Sequence, residues 1–338
     1  LQKFTGMNPD KYIDQFVKEN NLLSAVKKWT PHLLEEVKGI GEGAGVDFNT
    51  IFAWQCLDEE WWYRVFVKKL GIDALGLGNC SGLGCFKERD SPSLLAQNLD
   101  IPNYYDELQV LLFIKHQAYS LESFVFTAAG IIGWNGLNNQ PLGLCVNTLL
   151  DLNHSADGLP VAFVVRGILE QPTLDEAVEF IHKIKHASGQ NYIIGDGEKI
   201  VDFECSANKV CQYLPYEGAH RIYHTNHAIV NDDKRPSANE ITKKGTTRVR
   251  FNFLDKQLRD PSKNITVEII KSLLSSHEGS ICVHNTHQPG RSHTFGSLVM
   301  SLSTSSELHL ASGPPCSNEW RRYKFDHSWK HLNCDNFQ

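Results

Sequence analysis

The order in which hydrophobic periodicity changes along the 338 residues constrains the fold more than any single residue does. Residues 9–45 carry an apolar face at intervals of three to four, through Tyr12, Phe16, Leu22, Leu23, Val26, Leu33, Leu34, Val37 and Ile40. That spacing predicts helices. Pro31 opens a new one, and Gly39, Gly41, Gly43 and Gly45 punctuate its end. Asp47 to Trp62 reads as a further helix. From residue 79 the pattern shortens to β-rich runs at 92–98, 109–116, 122–127 and 142–148, separated by Gly, Asn and Pro. Two helices follow, one from Leu159 to Leu169 and one opened by the capping box Thr173-Leu174-Asp175-Glu176. Strands are expected at 192–195, 199–204, 210–213 and 221–224, helices at 247–259 and 264–275, and strands at 280–284, 294–301 and 307–311. Blocks of strands alternating with blocks of helices fit an α+β fold of two packed antiparallel sheets covered by helices, and fit alternating βαβ units poorly. No repeat, low-complexity tract or linker interrupts this order, so a single domain over 1–338 is the expectation.

Composition narrows the partners. Net charge is −6, and no basic stripe is interleaved with aromatics, which excludes nucleic acid as an expected partner. No apolar run reaches the roughly 18 residues of a membrane span. The first residue is Leu1, so the natural chain is expected to start earlier. Nine cysteines without CxxC spacing, an odd number, favour reduced thiols and a cytoplasmic protein, while the missing start leaves secretion open. His220, His224 and His227 are not expected to form a metal site, since no HExxH or carboxylate pair accompanies them; His284, His287 and His293 are read the same way. No cofactor is implied: the chain has neither a phosphate-binding glycine loop nor a Gly-x-Ser-x-Gly elbow.

Asn79-Cys80-Ser81 follows the glycine-rich run Gly71 to Gly78, and Leu94 to Asp100 reads as an apolar strand with a polar tip. If Cys80 begins a strand and Asp100 ends its hairpin partner, thiol and carboxylate meet at one end of a sheet. Peptide cleavage before Cys80 would free an α-amine beside the sulfur, able to act as general base for its own side chain. On its own, a cysteine in such a chain is more often a small buried hydrophobe.

Several collinear segments resemble the isopenicillin-N acyltransferase family of N-terminal-nucleophile hydrolases, and more distantly the choloylglycine hydrolases. They are Cys80-Ser81 with Gln97-Asn98-Leu99-Asp100, then Gly130 to Asn138 leading into Gly143-Leu144-Cys145-Val146-Asn147, His224-Thr225-Asn226-His227, and Gly290-Arg291-Ser292-His293-Thr294-Phe295. The helical start ending in Gly39 to Val46 completes the match. The resemblance implies a four-layer αββα sandwich. It also implies self-cleavage into an α segment, 1–79, and a β segment, 80–338, that stay associated.

Carried over residue by residue, the resemblance makes Cys80 the nucleophile and Asp100 the carboxylate that holds its freed amine. Asn226 and Asn147 are implied as amides facing the developing oxyanion, and Arg291 as the cation that steadies Asp100 or the developing charge near Cys80. Arg248, in Thr246 to Arg250, is a second arginine candidate, while Asn135 and Asn138 read as turn residues. Relatives carry glycine before the nucleophile where this chain has Asn79, and Gly84-Cys85 is a rival cleavage site. The expected reaction is hydrolysis of a small N-acyl amide through a thioester. Acyl transfer from a thioester donor to an amine, or an unprocessed binding protein, are the alternatives. Trp54, Trp61, Trp62, Tyr63 and Trp134 are candidates to line an acyl pocket.

Overall fold

The computed structural model describes residues 1–70, 79–88, 91–116, 120–235, 245–285 and 290–325. The glycine-rich run 71–78, His287 and Cys334 lie outside the described residues. Helices come first: α1 Gln2–Thr5, α2 Pro9–Glu19, α3 Leu22–Trp29, α4 Pro31–Ala44, α5 Phe48–Gln55 and α6 Leu57–Trp62. Local chemistry sets their ends. Asn8 Oδ1 accepts the Lys11 N–H and Pro9 supplies the fixed φ of a first turn. Gly45 closes α4 in the left-handed region, with φ 65°.

Among the described residues thirteen strands then form two antiparallel sheets. The first contains β10 Arg221–His224, β1 Asn79–Cys85, β2 Ser93–Pro102, β11 Ser292–Leu302, β12 Glu307–Ala311 and β13 Trp320–Lys324, in that order across the sheet. The second runs in chain order through β3 Gln109–Lys115, β4 Glu122–Ala128, β5 Asn135–Asn138, β6 Gly143–Thr148, β7 Gln190–Gly195, β8 Ile200–Cys205 and β9 Val210–Gln212. Helices α7 Val161–Leu169 and α8 Leu174–Lys183 cover the second sheet, and Thr173 caps α8 as its sequence predicts. Helices α9 Thr247–Leu258 and α10 Val267–Leu274 cover the first, packing Leu254, Leu258, Ile270 and Leu274 on Leu83, Cys85, Leu94 and Ala96. The result is the four-layer αββα sandwich.

The two sheets approach closely at β1. A Cβ on Gly82 would stand 2.8 Å from Asn147 Oδ1, and one on Gly84 would stand 2.9 Å from Ile200 Cγ2. Glycine is therefore the residue that lets side chains of the second sheet reach the strand that carries Cys80. Gln97 fastens the sheets from the neighbouring strand: its Nε2 donates to Val146 O, and its Oε1 accepts from Val146 N (3.3 Å) and Asn135 Nδ2 (3.0 Å).

The predicted strand at 280–284 is instead a 3-10 turn, Glu278–Ser280, followed by irregular chain. Its backbone groups are bound elsewhere, Cys282 N to Ser276 O and Val283 N to Thr294 Oγ1, so no ladder is left to form. Strands β5 and β13 have no counterpart in the sequence reading. The first is only four residues long, and the second, Trp-Arg-Arg-Tyr-Lys, is a polar edge.

Candidate active site

The β1–β2 hairpin organises the site. Its register sets Asn79 opposite Asp100, Cys80 opposite Leu99 and Gly82 opposite Gln97. Side chains alternate along a strand, so Cys80, Gly82 and Leu99 face the second sheet. Asn79, Ser81 and Asp100 face the α9–α10 layer. Thiol and carboxylate thus share one end of the sheet, as expected, yet they point to opposite faces. It is the Asn79–Cys80 peptide that lies level with Asp100.

The nitrogen of that peptide is held, and so is the carbonyl of the peptide that follows it. The Cys80 N–H donates to Asn226 Oδ1 at 2.7 Å, and Arg250 Nη1 donates to Cys80 O at 2.5 Å and to Ser81 Oγ at 3.0 Å. Arg250 Nη2 reaches Asn226 Oδ1 at 2.8 Å and Asn79 Oδ1 at 3.1 Å. Two donors converge on Asn226 Oδ1, which fixes the orientation of that amide. Its Nδ2 donates to Thr148 O at 3.0 Å. Asn226 Oδ1 thus meets the Cys80 nitrogen, while its Nδ2, the group that the resemblance aims at the oxyanion, is bound to Thr148 O. Asn79, the departure from glycine, is the first residue of β1; its side chain is tied to Arg250 and, at 3.3 Å, to Ser292 Oγ.

Asn147 is buried on the face to which the thiol points, against Gly82. Its Nδ2 makes one long contact, 3.5 Å to His224 O, and its Oδ1 has no partner among the described residues. The turn carrying Asn226 is braced from below. His224 Nε2 meets Glu204 Oε1 at 2.9 Å, and Glu204 also accepts the N–H groups of Ile229, Val230 and Asn231.

Arg291 is exposed at the head of β11, where its carbonyl accepts the Asn103 N–H. Arg248 is exposed on α9. The guanidinium against Cys80 belongs to Arg250, and the hydroxyl on Asp100 Oδ1, at 2.6 Å, belongs to Thr294. A sequence signal for Arg250 existed: the buried stripe of α9 is Thr247, Arg250, Leu254 and Leu258, which turns 250 inward and 248 outward.

Burial disfavours negative charge at this site. Burial pushes the Cys80 thiol up to about 12, with Asp100 adding to the rise and Arg250 opposing it. Burial likewise raises Asp100 to about 7 against the pull of Arg250 and the Thr294 bond. Arg250 itself is lowered by burial. Charge on the thiol is costly here without a nearby base.

Cys80 opens into a cavity of about 160 Å³. Its walls combine Leu99, Ile101, Tyr105, Val146 and Trp134 with Leu57, Asp58, Glu60, Trp61 and Arg64 from α6 and the π-helical turn Tyr63–Val67. Of the aromatic candidates, Trp61 and Trp134 line it. Trp62 is buried against Phe66 and His154, Trp54 donates to Ala129 O, and Tyr63 donates to Glu19. Asp58 is occupied by Thr148 Oγ1 (2.7 Å) and Gln190 Nε2 (2.6 Å).

Cys85 lies on the opposite face, packed in the cluster under α9 and α10. The histidines at 220, 224 and 227 do not converge: His224 binds Glu204, His227 binds Thr247 Oγ1, and His220 is exposed. Asn138 does cap its turn, accepting from Gln140 N and Leu142 N, whereas Asn135 belongs to the inter-sheet bonds of Gln97. Among the described residues no helix is long and apolar enough to cross a membrane.

The family model described as acyl-coenzyme A:6-aminopenicillanic acid acyl-transferase matches residues 86–310. Similar solved structures include an ortholog of N-acylethanolamine-hydrolyzing acid amidase from Caenorhabditis elegans, with 16% identity over 66% of this chain and 92% of that one, at a TM-score of 0.46. A conjugated bile acid hydrolase from Clostridium perfringens (14% identity, 75% and 100% covered, TM-score 0.46) is another. So is a penicillin V acylase from Agrobacterium tumefaciens (14% identity, 73% and 86% covered, TM-score 0.46). No curated protein sequence matches.

Proposed function

Because the chain belongs to the acyl-coenzyme A:6-aminopenicillanic acid acyl-transferase family, we propose that it is a self-processing cysteine amidohydrolase with Cys80 as nucleophile. The observation that carries this reading is that one residue presents both reactive atoms. The Cys80 sulfur borders the cavity while its nitrogen is held by Asn226 at 2.7 Å.

In the first reaction Cys80 Sγ attacks the Asn79 carbonyl carbon, and the peptide nitrogen leaves with the thiol proton. Water then hydrolyses the resulting thioester. The products are a carboxylate on Asn79 and a free α-amine on Cys80. In turnover that amine takes the thiol proton, and the thiolate attacks the substrate carbonyl. Asn147, whose amide is the least engaged beside this face, donates to the oxyanion. The leaving amine departs with the proton, and water hydrolyses the acyl-enzyme. Asn226, Arg250 and Asp100 position the Cys80 nitrogen. Helix α6, on the 1–79 side of the cut, supplies cavity wall and bonds Thr148, Val161, Ser188 and Gln190 across it. The two segments therefore stay together after cleavage. The apolar and aromatic wall suits the acyl half of a small N-acyl amide.

The family's description as an acyl-transferase supports a second reading, in which an amine rather than water accepts the acyl group. Denaturing electrophoresis with terminal sequencing tests the first step: two bands are expected, the larger starting at Cys80. A single intact chain, inert to thiol reagents, would leave only a binding protein. Hydrolysis of acyl amides, compared with acyl thioesters in the presence and absence of amines, separates the two enzymatic readings.

A further inference from the structure

Outside the cavity, four side chains with metal-binding atoms meet where the chain leaves α10 and where it leaves β12. They are His277, Cys282, His284 and Cys316, and their ligand atoms all lie within 4.8 Å of one another. Cys282 Sγ is 3.5 Å from Cys316 Sγ and 3.6 Å from His284 Nε2, and His277 Nε2 is 3.3 Å from His284 Nε2. A tetrahedron with metal–sulfur bonds of about 2.3 Å and metal–nitrogen bonds of about 2.05 Å has edges of roughly 3.8 Å (S–S), 3.6 Å (S–N) and 3.3 Å (N–N). Three measured separations match these edges to within a few tenths of an ångström. The fourth, His284 Nε2 to Cys316 Sγ at 2.8 Å, is a contracted edge that a central ion would widen.

We infer that these residues form a structural zinc site. Two thiolates and two imidazoles in a tetrahedral set select zinc among divalent ions, and four protein ligands leave no open position for chemistry. A Cys282–Cys316 disulfide would explain the paired sulfurs, but it gives no reason for two imidazole nitrogens to close on the same point. Cys282 is buried while the other three ligands are exposed, so an ion can enter from solvent. Binding releases the two thiol protons.

The site braces the machinery from the outside. Val283, between two of the ligands, donates its N–H to Thr294 Oγ1 at 2.9 Å and accepts the Thr294 N–H at 3.0 Å. Thr294 in turn holds Asp100. Ile281 O, one residue before Cys282, accepts Asn98 Nδ2 at 3.0 Å. An ion at the four ligands ties this segment to the turn at 316 and keeps the Thr294 hydroxyl on the Asp100 carboxyl.

The test uses the full chain without a histidine tag. Plasma emission is expected to find one zinc per chain. After chelation, added cobalt is expected to give the intense visible bands of a tetrahedral sulfur–nitrogen set. His277→Ala and Cys316→Ser should each weaken binding by more than about 100-fold, since even outer-shell partners of a metal are worth 10–100-fold. His277 is exposed, so its variant keeps the test informative if Cys316→Ser fails to fold. Cys80→Ala, which fails to process under the reading above, should bind zinc as the parent does, and this separates the two ideas. The inference is overturned by substoichiometric zinc with Cys282 and Cys316 freely alkylated, by a Cys282–Cys316 disulfide in digests, or by zinc binding that survives both substitutions.

Discussion

The two ends of β1 make the sharpest comparison in the molecule. Cys80 and Cys85 are buried thiols on one strand, and burial lifts both to about 12. Each end also has a buried arginine on a neighbouring element, Arg250 beside Cys80 and Arg221 beside Cys85. The faces differ. Cys80 looks into the cavity between the layers, whereas Cys85 sits in apolar packing under α9 and α10. The arginines differ as well. Arg221 donates to the carbonyls of Leu258, Asp260 and Lys263, where it finishes the end of α9, and pairs with the Glu88 carboxylate at 3.3 Å. Arg250 spends its donors on Cys80, Ser81, Asn79 and Asn226. Burial and a raised thiol therefore carry no functional information by themselves; access and the company of the backbone nitrogen do.

Substituting the two cysteines should have the largest effect. Cys80→Ala is expected to abolish processing and amide hydrolysis, leaving one band at the full 38.1 kDa. Cys85→Ala should process normally and lose only about 1 kcal/mol of stability. Processing retained in the first variant and lost in the second would reverse the comparison.

Next come the arginines. Arg250→Lys keeps a cation but not the fork, and processing followed by electrophoresis should slow on the order of 10²-fold. Arg221→Lys should process at the parental rate while stability, read from urea unfolding, falls by about 1–3 kcal/mol for the carbonyls left unpaired.

Asn147→Ala sharpens the division of labour between the amides. If its NH₂ meets the oxyanion, kcat should drop about 10²–10³-fold with processed chain still forming. An unchanged kcat would move that task to another donor.

The last test is a pH slope in the unprocessed Cys80→Ala background. The Asp100 carboxyl titrates near 7 when folded, against an ordinary 3.8. Between those values the folded chain holds a proton that the unfolded chain has released, so this group's contribution to stability falls as pH rises through the window. Adding Asp100→Asn removes that slope. The double variant should gain relative to its parent between about pH 4 and pH 7, read from denaturant midpoints.

What the sequence made legible follows from range. Periodicity located the helices and most strands, because an apolar stripe is a local property; Thr173 and Pro31 could be read as helix starts from their neighbours alone. The order of elements then sufficed for the two-sheet sandwich. Short collinear motifs name Cys80, Asp100 and Asn226, which the structure brings to one end of β1 and β2, and Asn147, which it sets against Gly82. Their faces were not legible, since the register of β1 on β2 decides which of Asn79 and Cys80 meets Asp100. Arg291 was favoured because it sits in a motif next to a strand. Arg250 was passed over because its neighbour Arg248 shares the same five residues, and only the α9 stripe separates them. The ligand group at His277, Cys282, His284 and Cys316 is harder still, since Cys316 comes from a turn 32 residues beyond His284.

The pairing of Asn79 with Asp100 across the hairpin has one more consequence. A cut after Asn79 creates a chain-terminal carboxylate level with a buried carboxyl, and Arg250 is the cation that both must share. Such crowding of like charge favours departure of the severed end from its strand position, and with it the loss of the first β1–β2 pair. Resealing the bond would require bringing that anion back. Under the proposed processing, the register that sets Asn79 beside Asp100 would thus oppose return of the severed end once the thioester has been hydrolysed.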